Sequence, residues 1–212
     1  QIAGHRFSVS GENLCKLMKS IDGFSTFLVE ENNTLFSFVE GSDVPEMKCV
    51  QYEFSHEDIV GIFGKTADGF MLSLKPENEE SLNLWHNKNE NKVLINGNLS
   101  AMLYRFALWI GFGLMTISYK TVAIHSSCIV YNNKAVLFLG ESGTGKSTHS
   151  SLWRQTFDGC ELLNDDNPTI RIVGDSVKIY GTPWSGKTPC FKNQSCRLAG
   201  VVRLQQAPEN IY

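Results

Sequence analysis

The residues best suited to chemistry form one run, Gly140-Glu141-Ser142-Gly143-Thr144-Gly145-Lys146-Ser147-Thr148. Every fixed position of the spacing G-x-x-x-x-G-K-[ST] is filled. Chance supplies such a match in roughly one chain of this length in a hundred. Glycines at 140, 143 and 145 let the backbone enter conformations closed to other residues, so that successive N–H groups converge on an anion. A helix opening near Lys146 adds the positive end of its dipole. Lys146 supplies a mobile cation for the β- and γ-phosphates, and the Ser147 hydroxyl is a magnesium ligand. With Ser142, Thr144 and Thr148 completing the cradle, the spacing predicts a site for ATP or another nucleoside triphosphate together with Mg2+.

Downstream, Asn164-Asp165-Asp166 closes a short apolar run. Two adjacent carboxylates at a strand end beside a phosphate loop suit metal-assisted phosphoryl transfer, one holding magnesium and the other taking a proton from an attacking hydroxyl. The same residues would also serve as a plain turn, because Asp and Asn favour turns and Pro168 follows. His125 lies upstream in Ile124-His125-Ser126-Ser127, where it is either a core histidine or, if its strand pairs with the strand feeding the loop, a neighbour of the phosphates. Gly181-Thr182-Pro183-Trp184-Ser185-Gly186-Lys187 is either a loop over the site, with Thr182 or Lys187 meeting substrate, or a connection with Trp184 packed inward.

These residues need a scaffold that brings strand ends together. Residues 135–139 are an apolar strand entering the loop, joined by Asn132-Asn133-Lys134 to an apolar run over 121–130. Residues 146–157 have helical character, and 169–173 and 177–180 flank a Gly174-Asp175 turn. The reading is α/β, with the site at the carboxyl end of the strands of a mixed sheet. Residues 1–97 read as a separate, small, mainly antiparallel β domain, and 98–212 as a helix followed by the nucleotide-binding part. In the first part Val50, Tyr52 and Phe54 alternate with polar residues, as do Phe70, Leu72 and Leu74, predicting half-buried strands. Residues 26–29 and 35–39, separated by Glu30-Glu31-Asn32-Asn33, suggest a hairpin, and the polar stretch 77–91 reads as a loop or a poorly packed edge. Between 101 and 119 the only charge is Arg105. Leu99, Met102, Leu103, Phe106 and Ile110 follow helical spacing behind a cap at Asn98 or Ser100, predicting a buried helix rather than a membrane span.

The 212 residues carry a net charge of -3, which argues against a broad footprint for nucleic acid or anionic lipid. Six scattered cysteines with no C-x-x-C spacing suggest neither a zinc site nor a disulfide framework, and a reducing cytoplasm is the expected setting. The chain opens on Gln1 and closes on Asn210-Ile211-Tyr212, ends that read as trimmed rather than natural.

Taken in order, Ile124-His125-Ser126, a hairpin, the loop of 136–148 and Asn164-Asp165-Asp166 resemble the catalytic core shared by HPr kinase/phosphorylase and ATP-dependent phosphoenolpyruvate carboxykinase. The resemblance covers about residues 121–172. It implies a P-loop, carboxykinase-like core and a kinase acting on a hydroxyl, such as a serine of a protein or peptide. It further implies that Lys146 and Ser147 bind triphosphate and magnesium, that Asp165 is the catalytic base, that Asp166 binds metal, and that His125 matches the metal-ligand histidine of the carboxykinases. Fewer residues follow Lys146 than either family uses. Two other functions fit the sequence: a non-catalytic, nucleotide-responsive binding module, and a small-molecule carboxykinase. The latter would need arginines near His125, for which Arg105, Arg171 and Arg203 are the candidates. The acceptor and any homo-oligomeric state are left open.

Overall fold

A computed structural model describes residues 1–30, 33–56, 58–97, 100–186 and 188–207. The chain is a mixed α/β protein, mostly sheet, with two seven-stranded mixed sheets. Two compact units divide it: Gln1, His5–Asp22 and Val29–Met115 form the first, and Ile2–Gly4, Gly23–Leu28 and Thr116–Tyr212 form the second. Glu31, Asn32, Asn98, Leu99, Lys187, Asn210, Ile211 and Tyr212 lie outside the described residues.

The first unit contains β1 (Phe7–Ser10), α1 (Glu12–Ser20), β2 (Phe36–Glu40), β3 (Cys49–His56), β4 (Ile59–Lys65), β5 (Gly69–Pro76), β6 (Leu82–Asn87), β7 (Lys92–Gly97) and most of α2 (Ala101–Thr116). Its strand order is β1-β2-β7-β6-β5-β4-β3. Strands β3 to β7 pair antiparallel, but β1, β2 and β7 run parallel to one another. A parallel neighbour needs a crossover, and α1 supplies one between β1 and β2, with Leu14 fully buried.

This geometry corrects several expectations. Residues 26–29 and 35–39 form no hairpin: Phe24–Phe27 is a 3-10 turn assigned to the second unit, while β2 pairs with β1 and β7. The polar stretch 77–91 contains β6, an inner strand with Leu82 and Leu84 fully buried, because two leucines on one face suffice to seat a strand between two neighbours. Conversely β3 is a sheet edge, and Val50 and Tyr52 are 49% and 64% exposed despite their alternation. The helix α2 is where expected, but its buried face is Leu103, Tyr104, Ala107, Leu108 and Phe112, turned away from Met102. Gly111 sets that face, because a Cβ there would meet Phe38 and Leu84 at 2.7 and 2.9 Å. That close approach draws the helix onto the first sheet, and the compact units divide at Met115/Thr116. Residues 101–119 are long and apolar enough to cross a membrane by length and composition, with 39% of the span buried.

The second unit contains β8 (Thr121–Ala123), β9 (Ser126–Tyr131), β10 (Lys134–Leu139), α3 (Lys146–Thr156), β11 (Glu161–Asp166), β12 (Thr169–Val173), β13 (Ser176–Tyr180) and β14 (Ser195–Arg203). Its sheet order is β11-β9-β10-β14-β13-β12-β8, with β10 and β14 parallel and the other pairs antiparallel. The β9–β10 hairpin turns on Asn132 and Asn133, both left-handed at φ 49° and 58°, as a mirror-image turn requires. One sheet face buries Cys128, Ala135, Leu137, Leu163 and Ile179. The other packs Ile129 and Phe138 beneath Trp153 of α3. The apolar run over 121–130 is two strands rather than one, broken at Ile124 and His125, because β8 pairs with β12 while β9 pairs with β10 and β11.

Candidate functional site

Strand β10 delivers the chain into the glycine loop at Leu139, and α3 takes it out at Lys146. Gly145 caps the helix in the left-handed region at φ 97°, and among the described residues no side chain caps it, which leaves the first N–H groups of α3, beside the loop, without an intrahelical partner. Gly143 is left-handed too, and the space where a Cβ would stand is empty at both positions, which keeps the concavity of the loop open to a ligand. Lys146 folds across this loop, its Nζ donating to the carbonyls of Gly140 and Glu141 at 2.9 and 3.0 Å. Thr144 Oγ1 also donates to the Glu141 carbonyl, and Gln206 Nε2 reaches back from beyond β14 to the Gly143 carbonyl. Several carbonyls of the loop are therefore engaged by side chains of the chain itself.

The first turn of α3 is locked to the sheet by a buried pair of hydroxyls, Ser127 and Ser150, 2.5 Å apart, with Ser150 also donating to the Lys146 carbonyl. That lock aims Ser147 at the end of β11. The Ser147 hydroxyl lies 3.0 and 3.1 Å from the two carboxylate oxygens of Asp165. Asp165 is only 6% exposed, and the sole described partner of its carboxylate is this neutral hydroxyl. A buried carboxylate without a cation is costly.

Asp166 points elsewhere. Its Oδ1 lies 2.9 Å from His125 Nδ1 and its Oδ2 accepts from Asn167 Nδ2 at 2.7 Å, in a setting considerably more open than that of Asp165. The antiparallel pairing of β9 with β10 and β11 is what carries His125, just ahead of β9, to this end of the sheet. Asp166 also has φ 142°, a backbone region that non-glycine residues rarely enter. Its neighbours impose the bend. Gly186 N donates to the Asp165 carbonyl at 2.6 Å, Asp166 and Ser185 form a bridge, and Asn167 N donates to Asn164 Oδ1. Asn164, fully buried, also donates to the carbonyls of Thr182 and Trp184.

The segment 181–186 thus lies against the two aspartates, but not in the way one reading of it expected. Thr182 is fully buried, donates to the Asn167 carbonyl and accepts from Trp184 N, so it braces the loop and cannot meet a substrate. Trp184 is packed inward against Phe24. Lys187 lies outside the described residues. Of the arginines considered for a carboxykinase pocket, Arg171 is tied to the Ala3 carbonyl, Arg203 is exposed at the end of β14, and Arg105 donates to the Asp22 carbonyl in the first unit.

Gly140, Ser142, Gly143, Thr144, Gly145, Lys146, Ser147 and Thr148 therefore share one loop and helix start, with Asp165, Asp166 and His125 beside them. Sequence reasoning did not single out Asn167, Ser127, Ser150 or Gln206. The first directly follows the aspartate pair and was within reach; the others depend on pairings over 23 and 63 residues. Among the described residues no three His, Cys, Asp or Glu side chains gather into a metal-binding group. The contact beside the loop is instead between the Ser147 hydroxyl and the Asp165 carboxylate, oxygen donors of the kind magnesium takes together with phosphate oxygens. No family model matches the chain, and no curated protein matches it.

Proposed function

We propose that the chain is an ATP- and magnesium-dependent phosphotransferase of the HPr kinase/carboxykinase type, moving the γ-phosphoryl group to a hydroxyl of a protein or peptide. The observation that carries this reading is the buried Asp165 carboxylate held against Ser147 at the mouth of a glycine loop that ends in Lys146. A helix start that no described side chain caps suits the phosphates, and a buried carboxylate with no cation among its described partners suits a divalent cation. The order His125, loop, aspartate pair supports the kinship with that superfamily and its P-loop core.

Ser147 and Asp165 would hold magnesium, which when bound neutralises charge on the phosphates. The loop N–H groups and the Lys146 ammonium orient the triphosphate and stabilise the charge that develops on its oxygens. Asp166, more open and supported by His125 and Asn167, accepts the proton of the attacking hydroxyl. This division of labour exchanges the roles that the resemblance alone suggests for Asp165 and Asp166. The burial of Asp165 and its contact with Ser147 favour the exchange.

Two experiments test the reading. Calorimetry with magnesium and ATP should show binding to the parent and a loss of about ten- to a hundredfold in Lys146→Ala, the equivalent of one or two charge-assisted hydrogen bonds. A parent that binds no nucleotide overturns the proposal. Asp166→Asn should slow phosphoryl transfer by about two to four orders of magnitude with little change in nucleotide affinity, whereas Asp165→Asn should chiefly weaken the magnesium dependence of binding. The opposite pattern would restore Asp165 as the base.

A further inference from the structure

The register of the second sheet gathers charge at a place the phosphate site does not use. Arg171 of β12 stands opposite Lys178 of β13, Lys178 opposite Arg197 of β14, and Arg197 opposite Lys134 of β10. Directly opposed residues of neighbouring strands share a face, so four cations stand abreast across four strands. Interstrand steps of about 4.8 Å give the row a span of about 14 Å.

It lies on the face that carries Val136 and Phe138, where α3 packs on β9, β10 and β11 and Ala3 and Gly4 lie against Arg171 at the β12 end. Lys134 and Arg197 are exposed, and Lys178 and Arg171 are half-buried. Arg171 is tied to the Ala3 carbonyl, while Lys134, Lys178 and Arg197 make no side-chain hydrogen bond or ion pair with any described residue. No Asp or Glu occurs anywhere in β8, β10, β12, β13 or β14. Like charges directly opposed across strands destabilise a sheet. Here three such pairs follow one another, in a chain whose net charge is -3.

We propose that this row, Lys134, Arg197, Lys178 and Arg171, is a docking surface for an acidic stretch of polypeptide. An extended segment with a carboxylate at every second residue presents one charge about every 7 Å on one face, so three fit along the row. Charge complementarity selects an acidic partner, and the shape of the face selects polypeptide over nucleic acid. Single-stranded nucleic acid is held by cations interleaved with exposed aromatic platforms. The strands carrying the row offer only Tyr180 and Phe138 as aromatics, neither of them exposed. The inference rests on the sheet register and on the exposure and charge of these side chains, and it stands whether or not the glycine loop binds nucleotide.

The test is fluorescence anisotropy with the full chain and a fluorescein-labelled seven-residue peptide of alternating serine and glutamate, without nucleotide. The parent should bind, more weakly as salt is added. The triple variant Lys134→Gln/Lys178→Gln/Arg197→Gln should lose at least about tenfold in affinity. A control with the same loss of charge elsewhere, Lys65→Gln/Lys75→Gln/Lys88→Gln, should bind like the parent. Should the triple variant fail to fold, the single changes Lys134→Gln and Arg197→Gln at the exposed positions are each expected to lose about threefold. Equal binding by the row and control variants, no binding by the parent, or tighter binding of a labelled eight-nucleotide oligouridine than of the peptide would each overturn the proposal.

Discussion

The two sheets of this protein have the same number of strands and bury very different things. The first unit is sealed by Phe36, Phe38, Leu72, Leu74, Leu82, Leu84 and Ile95, and only His5 and Thr66 are described as buried polar residues there. The second buries Thr116, Thr121, Ser126, Ser127, Ser150, Asn164, Asp165, Thr169 and Thr182. Apart from Thr116, Thr121 and Thr169, these cluster around the end of β11 and the start of α3. A buried polar group is tolerable only when its partners are in place, so such a cluster is a built feature rather than leftover space. The difference teaches that the first sheet is organised for burial and the second to hold a few oxygens in fixed positions.

The comparison is sharpened most by Asn164→Leu. It removes the donor to the Thr182 and Trp184 carbonyls and the acceptor for Asn167 N, and it should cost about 3 kcal/mol in urea unfolding. Thr66→Val in the first unit removes only the acceptor of Trp85 Nε1 and should cost about 1 kcal/mol or less. Equal costs would break the comparison.

A second probe is alkaline pH. Burial pushes the thiols of Cys128, Cys190 and Cys196 above their usual 9.0, all of them in the second unit. A thiol raised in the folded state holds its proton where the unfolded chain has released it. Its contribution is therefore intact below pH 9 and is lost as pH rises beyond it. For Cys128, the most deeply buried, the loss should approach about 1.4 kcal/mol per pH unit above 9. In the first unit Tyr104, raised from 10.0 by burial, should begin the same loss about one unit later. Urea midpoints between pH 8 and 11 should fall less steeply in Cys128→Ala than in the parent; parallel slopes would assign the alkaline loss elsewhere.

The smallest effect concerns backbone strain. Asp166 occupies a glycine-like φ of 142°, so Asp166→Gly should be about 1 kcal/mol more stable than Asp166→Ala. Equal stability would mean that the bend at Asp166 is unstrained.

Much of the site was legible without coordinates because it is local. The glycine loop, the helix after it, the β9–β10 hairpin with its two left-handed asparagines, the β12–β13 hairpin and the aspartate pair all depend on neighbours within a few residues. Expectations failed where distant segments decide. A periodic run such as 49–56 cannot announce that it is a sheet edge, and the polar stretch 77–91 hid an inner strand because only Leu82 and Leu84 face the core. The parallel β1–β2–β7 arrangement requires a crossover helix, and α1 went unread although Leu14, Leu17 and Met18 have helical spacing.

By itself, then, the sequence determined the chemistry on offer: three glycines, a lysine and a serine at one spacing, then two adjacent carboxylates and a histidine. Residue type and short-range backbone freedom suffice for that. Only the tertiary structure decided which carboxylate meets Ser147 and which meets His125. Successive side chains of a strand point to opposite sides, and the bend at Asp166 sets their final directions. It alone also placed Lys134, Arg171, Lys178 and Arg197 abreast, because strand register is a property of pairing and not of any one strand.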